Sequence, residues 1–443
     1  MKRAFNFIFT MMILTSLVLS ACATATESPV PQTTAPPQEQ PTTTEAPAPE
    51  PSEVTITIGF TSSLTGNQEV SSKRQVNGFT LWMNQVNEAG GITLSDGTVV
   101  KFDFVTYDDE SSTERVQELY TRLITEDNAD FLISPYSSGL TSAASIVAEQ
   151  NSKVMITAGA AEDDAYKTGN TSLFQLYTPG SLYMSSTVDM LKVLDPEAKI
   201  ALVYESDKFS TSVVNGIKPY LAEQGFEVVL EEGYATDTTD FGPIVNKIAS
   251  SGATVLLGGG HYNDGTALAR SLYERKIGLD LVFLLVAPAD TKFPELGDAA
   301  LGVATSSQWE LAATHTEEEA TSLGKGWFGP TGEEFAAAYE AAFGDPPTYH
   351  VAGGYAAGLI LQKAIIDADS IDPEAVKAAL NAMDLFTFYG GIKFDTSAEA
   401  HGLQIEHQMV VVQWQKNDAG FTRVVIAPAD VRTADPLFPL PSP

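Results

Sequence analysis

The sequence predicts an α/β protein of two lobes, each a parallel sheet with helices on both faces. Three observations carry that expectation. Short apolar runs alternate with helix-period stretches along most of the 443 residues, as parallel sheets with crossover helices require. The alternation is laid out twice, once in residues 54–161 and again in 200–290. The roughly 390 residues beyond the first 52 exceed what one ordinary core encloses.

The chain opens with Lys2 and Arg3, an apolar run over 7–19, and then Ser20-Ala21-Cys22. A basic start, a short apolar stretch and small residues at its end mark an export signal, with cleavage expected after residue 21. The run is too short for a permanent membrane span. Its end resembles the lipobox of bacterial lipoproteins, in which the Cys becomes a lipidated N-terminus. Cys22 is the only cysteine, so no disulfide can form within the chain. Residues 22–52 read as a tether. They hold eight of the 24 prolines and show no apolar periodicity, so they cannot bury enough surface to fold. A formal net charge of −32 argues against nucleic acid and against a basic membrane-binding face.

The first half then reads as a strand at 54–60 and a helix carrying Val76, Phe79, Met83 and Val86 on one face, stopped by Gly90-Gly91. A strand at 99–107 follows. Asp108-Asp109-Glu110 reads as its solvated end, and Ser111 with Glu114 as the capping box of the next helix. Residues 131–133 form a short buried strand, 134–139 a serine-rich loop, and a helix starts at 140. The strand 154–157 runs into Gly159-Ala160-Ala161. The second half repeats the plan, with strands at 200–204, 226–230, 254–257 and 281–286. Its helices end at Gly225, Gly252 and near Gly278. Further on come helices at 333–343, at 352–366 and from Asp372-Pro373, then a hairpin of 408–414 with 421–426. Residues 431–443 read as a loose tail.

In open α/β sheets ligands bind beyond the carboxyl ends of the strands, so the loops there should line one cleft between the lobes. Tyr136, Ser137 and Ser138 stand where a strand gives way to a helix. A helix start offers unpaired N–H groups and partial positive charge, and the hydroxyls add donors for a carboxylate. Simple helix capping by the serines is the competing reading. The second-half loops carry Glu205, Asp207, Phe209, His261, Asp264 and Asp290, which favours a cationic or donor group there. Trp309 either stacks on a ligand or packs in the core. Residues 324–329 spell G-x-G-x-x-G but follow no strand, so the dinucleotide reading fails its context. No H-E-x-x-H, G-x-S-x-G or phosphate-loop pattern is present. No catalytic residue, cofactor or metal set is read from the sequence.

Ile58-Gly59, Leu64-Thr65-Gly66, Asn87-Glu88-Ala89-Gly90-Gly91-Ile92, Tyr107-Asp108-Asp109, Pro135-Tyr136-Ser137-Ser138 and the stretch 351–358 occur in this order behind the lipobox and tether. In that order they resemble the solute-binding lipoproteins of ABC importers, in the branched-chain amino-acid (Leu/Ile/Val) group. The resemblance covers roughly residues 54–426. It implies the type I periplasmic-binding-protein fold, with two Rossmann-like lobes joined by three crossovers near Tyr177, Gly302 and Ala400. Lobe 1 would be 54–177 plus 303–400, and lobe 2 would be 178–302 plus 401–430. It also implies that Tyr136-Ser137-Ser138 and Gly159-Ala160-Ala161 meet a ligand carboxylate. The loops holding Phe209, His261 and Asp290 would supply the ammonium and side-chain contacts. This sequence departs from that group in having Ala161 where a Thr is common and Ala289 where a Glu receives the ammonium. An amino acid or small amide is the implied solute, with a permease and an ATPase as partners. The protein would be a monomer without cofactor, held by lipid on the outer face of the cell membrane or in the periplasm. A ligand sensor on the same fold and an exported hydrolase are the alternatives.

Cys22→Ala is expected to release the protein from membranes. Detergent phase separation checks this, and a variant that still partitions with detergent contradicts the lipid anchor.

Overall fold

The computed structural model describes residues 52–418 and 420–441, so the export signal, Cys22 and nearly all of the tether lie outside the described residues. Alternating apolar strands and amphipathic helices give β1 (Glu53–Ser62), α1 (Glu69–Glu88), β2 (Ile92–Thr93), β3 (Val99–Asp108), α2 (Thr113–Thr125), β4 (Phe131–Ile133), α3 (Ser138–Gln150), β5 (Met155–Thr157) and β6 (Leu173–Gln175). These strands form one sheet in the order β2-β3-β1-β4-β5-β6. Only β2 runs antiparallel to its neighbour. β4, β5 and β6 are short and fully buried, as strands covered on both faces should be.

The second lobe follows with α4 (Ser185–Leu194), β7 (Lys199–Glu205), α5 (Lys208–Gln224), β8 (Glu227–Tyr234), α6 (Gly242–Ser251), β9 (Val255–Gly259), α7 (Tyr262–Glu274), β10 (Leu281–Leu284) and β11 (Val303–Ser307). The chain then returns to the first lobe through α8 (Glu317–Ser322), β12 (Gly326–Trp327), α9 (Gly332–Phe343), α10 (Tyr349–Ala368), α11 (Pro373–Ala382), β13 (Asp384–Thr387) and β14 (Gly390–Lys393). The hairpin β15 (Val410–Asn417) and β16 (Gly420–Ala427) ends on the second sheet, whose order is β16-β15-β11-β10-β9-β7-β8. β12, β13 and β14 make a small third sheet. No helix among the described residues is long and apolar enough to cross a membrane.

Four sequence expectations are corrected. The return to the first lobe does not fall at Gly302. Val303–Ser307 is a buried strand between β10 and β15, so the passage begins at Gln308. Asp109 is not solvated but fully buried. It accepts Thr61 Oγ1 at 2.7 Å, Ser63 Oγ at 2.6 Å and Ser111 N at 2.9 Å, which ties the loop after β1 to the end of β3. The cap of α2 is Ser112, whose hydroxyl accepts Arg115 N–H, one residue later than the motif implies. The tail is strapped to the second lobe. Leu437 N donates to Gln413 Oε1 at 2.7 Å, and Leu440 N donates to the Asp280 carbonyl at 3.0 Å.

The three passages between lobes meet at one knot. Thr178 N donates to Gln308 Oε1 at 3.0 Å, and Thr178 Oγ1 lies 2.8 Å from His407 Nδ1. His407 Nε2 lies 3.1 Å from the Tyr389 carbonyl, so Nε2 carries the proton and Nδ1 accepts from Thr178. Burial pushes His407 down to about 3, with the charge of His315 adding to the effect.

This has a consequence for acid stability. Below the ordinary value of 6.5, the unfolded chain takes up a proton that native His407 refuses. The stabilisation is therefore complete above that pH and is lost as pH falls toward 3. By pH 5 the loss is about 2 kcal/mol. Urea titrations at pH 7 and 5 should show His407→Gln losing less stability than the wild type by about this amount. Equal losses in the two proteins would remove His407 as a source of the acid sensitivity.

Candidate ligand-binding cleft

Most of the loops that line the cleft follow the carboxyl ends of strands, and Tyr349 enters from the start of α10, after α9. After β4, Ser137 caps α3 with its hydroxyl 3.4 Å from Leu140 N, and it adopts φ 92°, an unusual conformation for a non-glycine residue. The Ser138 hydroxyl oxygen accepts two backbone N–H groups, Ala161 at 3.2 Å and Glu162 at 3.1 Å. Its own proton remains to donate. The N–H groups of Ser138 and Gly139 in the first turn of α3 have no intrahelical acceptor by geometry. This wall therefore presents donors and partial positive charge.

On the opposite wall, Asp207 caps α5, and at the start of α7 the Asp264 carboxylate accepts the N–H of His261 at 2.7 Å. His261 Nε2 lies 3.0 Å from Asp207 Oδ2. Burial disfavours its charged form, but the hydrogen bond and charge of Asp207, with Glu205 and Asp264, push His261 up to about 9. Burial raises Glu205 to about 8; His261 opposes this, and the charges of Asp264 and Asp207 add to it. The charged imidazole donates through Nδ1 to Tyr136 Oη at 3.4 Å, and Tyr136 in turn donates to His350 Nε2 at 3.3 Å. Burial keeps His350 neutral, well below its ordinary value, with the charges of Arg74 and His261 adding. The chain Asp207–His261–Tyr136–His350 thus runs from one lobe into the other.

Tyr136, Ser137, Ser138, Gly159, Ala161, Phe209 and His261 line one small cavity between the lobes. Tyr177, Tyr183, Val286 and Tyr349 complete it. Its volume is about 10 Å³, room for about one water, so the lobes are shut on each other. The rings touch edge to face: Tyr183 with Phe209 at 5.2 Å and Tyr177 with Tyr349 at 5.8 Å between centroids. Two further contacts hold the lobes shut. Asn67 Nδ2 donates to the Thr236 carbonyl at 3.3 Å. Arg74 Nε donates to Asp290 Oδ2 at 3.3 Å, while Nη2 reaches Thr291 Oγ1 at 3.1 Å and Nη1 reaches Asp345 at 3.0 Å.

Three expected site residues are placed otherwise. Asp290 is buried in its pair with Arg74, so its charge is already matched and it offers no free acceptor for an ammonium. Trp309 takes the core role, edge-on to Phe335 and Phe388 with its N–H on Thr314. Ala160 is buried beside the cavity and gives its carbonyl to Gln175. The acids of the second lobe do not face solvent as loop carboxylates usually do: Glu205 is 4 % exposed. Sequence reasoning missed Tyr177, Tyr183, Val286 and Tyr349 as lining residues and Arg74 as a clamp. Tyr349 had one available signal, since Thr348 precedes an apolar run as an N-cap does, which starts α10 three residues earlier than expected.

The family model described as periplasmic binding protein matches residues 55–419. A Leu/Ile/Val-binding protein homologue of Brucella melitensis is 24 % identical over 375 residues, covering 81 % of this chain and 89 % of the relative. Among solved structures, a branched-chain amino acid transporter substrate binding protein of Streptococcus pneumoniae, in complex with isoleucine, is similar with a TM-score of 0.68. It is 20 % identical and covers 85 % of this chain and all of its own. A solute binding protein of Rhodopseudomonas palustris, in complex with 3,4-dihydroxybenzoic acid, has a TM-score of 0.72 at 19 % identity, covering 86 % of this chain and 99 % of its own.

The double role of the Ser138 oxygen makes it the costlier serine to remove. Ser138→Ala strips the acceptor from two buried N–H groups and should lower unfolding free energy by about 1–3 kcal/mol. Ser137→Ala loses one 3.4 Å cap contact and should cost less. Urea denaturation of both variants decides; equal losses contradict this account of the loop.

Proposed function

The chain belongs to the periplasmic binding protein family, and from that premise we propose that it is the extracytoplasmic solute-binding component of an ABC importer. Lipid on Cys22 holds it at the membrane, and a permease with its ATPase receives the solute. The observation that carries this reading is the convergence of seven expected contact residues, from both lobes, on one enclosed cavity at the strand ends.

The cavity supports a small amphipathic solute. A carboxylate or carbonyl suits the Ser137–Ser138 wall and the start of α3. An apolar or aromatic body suits the rings of Tyr177, Tyr183, Phe209 and Tyr349. With Ala289 in place of an acid and Asp290 bound to Arg74, the position that holds an amino group in the amino-acid binders is not open here. The relatives' names indicate branched-chain amino acids, whereas the filled ammonium position supports simple aromatic acids of the kind held by the R. palustris protein. A hydrolase reading gains nothing from the site, because the hydrogen bonds of His261 go to Asp207 and Tyr136 and to no serine.

A solute larger than water requires the lobes to part and close again around it. Mass spectrometry of small molecules released from the freshly purified, denatured protein identifies the natural solute. Calorimetry with isoleucine and 4-hydroxybenzoate tests the class directly. A carboxylate- or carbonyl-bearing solute is expected, and its binding should reduce the radius of gyration in small-angle scattering. Recovery of a solute with neither group, or saturation without any change in scattering, contradicts the proposal.

A further inference from the structure

We propose that Glu205, Asp207 and His261 form a binding site for a divalent transition-metal cation, with zinc as the type, on the second-lobe wall of the cleft. The proposal is independent of which solute the cleft carries. The three residues come from neighbouring strand ends: Glu205 closes β7, Asp207 caps α5 and His261 stands at the start of α7. One ligand atom from each lies within 4.8 Å of the others. Asp207 Oδ2 and His261 Nε2 stand 3.0 Å apart. Two ligands each ~2.0–2.2 Å from a tetrahedral zinc are separated by roughly that distance, ~3.3 Å.

Glu205 supplies the second observation. It is 4 % exposed, and its Oε2 has no hydrogen-bond partner among the described residues. That oxygen and Asp264 Oδ2 both press on the backbone of Gly260, where any Cβ would collide with them. The Glu205 carboxylate is therefore aimed into the turn that delivers His261. Three carboxylates face one imidazole here, and no lysine or arginine among the described residues pairs with any of them. One imidazole matches at most one of the three carboxyl groups, and the cost of a buried, unpartnered charge is what keeps the proton on Glu205 up to about 8. A divalent cation supplies the missing charge.

The supporting groups around a metal site are also in place. Tyr136 Oη holds His261 Nδ1 at 3.4 Å, which orients the ring with Nε2 inward. Ser210 N holds Asp207 Oδ1 at 2.8 Å, leaving Oδ2 for the cluster. Asp264 is fixed by Tyr234 Oη at 2.5 Å and by His261 N at 2.7 Å, so it buttresses the site from behind. A cavity of about 490 Å³, lined by Glu205, His261, Asp264, Asn67 and Asn263, opens on the cluster and gives the cation an entry path and a free coordination position. An imidazole nitrogen among the donors selects zinc-like cations over calcium or magnesium, which take oxygen alone.

Cobalt(II) is the probe, because its visible absorption reports nitrogen and oxygen ligation. Full-length protein freed of metal with EDTA should bind one saturable equivalent with a visible band, and zinc should displace it. Glu205→Gln keeps the shape of the side chain and should weaken cobalt binding on the order of tenfold or more, with circular dichroism unchanged. Asp207→Asn is the second variant; asparagine caps helices as well as aspartate does, so loss of the band there cannot be laid to a lost cap. Absence of a saturable band in the wild type, or a band that both variants leave untouched, overturns the assignment. If cobalt does not bind while ethanolamine does, and Glu205→Gln removes that binding, the cluster receives an organic ammonium and the metal assignment is wrong.

Discussion

A seam of glycines between α1 and α10 sets the geometry on which the cleft depends. A Cβ on Gly78 would collide with the Val351 carbonyl, one on Gly354 with the Gln75 carbonyl, and one on Gly358 with the Trp82 ring. The two helices therefore lie backbone to backbone, a distance no larger residue permits. Interiors packed to this density do not absorb an added methyl without moving their neighbours. The consequence reaches the site. α1 carries Arg74 and Gln75 to the cleft, and the first turn of α10 carries Tyr349 and His350. Gln75 Nε2 donates to the Ser134 carbonyl at 2.9 Å, so α1 also clamps the loop that precedes Ser137. Gly159 is held to glycine by the same clamp, since a Cβ there would meet the Gln75 side chain and the Tyr136 ring.

Charge is partitioned between the two walls, and most of it is buried. The first lobe offers hydroxyls and a helix start, while the second offers Glu205, Asp207 and Asp264 around one imidazole. Buried charges persist where they are matched. Arg74 matches Asp290 across the lobes; burial works against the guanidinium, and Asp290, Asp345 and Tyr339 together outweigh it. His261 matches Asp207 within the second lobe and donates its second N–H across to Tyr136. The closed state is thus held by polar contacts whose partners belong to different lobes, and opening exposes each of them to water.

Much of the fold was legible because it rests on local pattern. The strand–helix alternation, the left-handed glycines Gly225 and Gly252 that end α5 and α6, and the Asp372-Pro373 start of α11 all act within a few residues. The hairpin of β15 and β16 was legible for the same reason. What was not legible depends on distant partners. β11, with the sequence VATSS, is too small and polar to look like a strand; it becomes one because β10 and β15 enclose it. Asp109 looks solvated until Thr61 and Ser63 close over it. Asp290 looks free until Arg74, 216 positions earlier, reaches it. Of the site, the strand-end loops could be read, because a helix start advertises itself. Tyr183 and Val286 could not, since only the meeting of the two lobes makes them neighbours of Ser137.

The two walls differ in how far they are prepared before a solute arrives. Ser138 is held by Ala161 and Glu162, and Ser137 N donates to the Gly159 carbonyl at 3.2 Å; all of these partners lie in the first lobe. Parting the lobes leaves them intact, so the donor wall keeps its shape in an open protein. The strained backbone of Ser137, φ 92°, is part of that preparation, since such a conformation persists only where its surroundings enforce it. The aromatic enclosure is different. Tyr136 meets His261, and Tyr177 and Tyr349 share a cavity with Tyr183 and Phe209, only when the lobes are shut. In the proposed site, the charged head of a solute would therefore meet a preorganised surface first, with its body enclosed afterwards. On that reading, selectivity for the head would belong to the first lobe, and selectivity for the body would be tied to the free energy of closure.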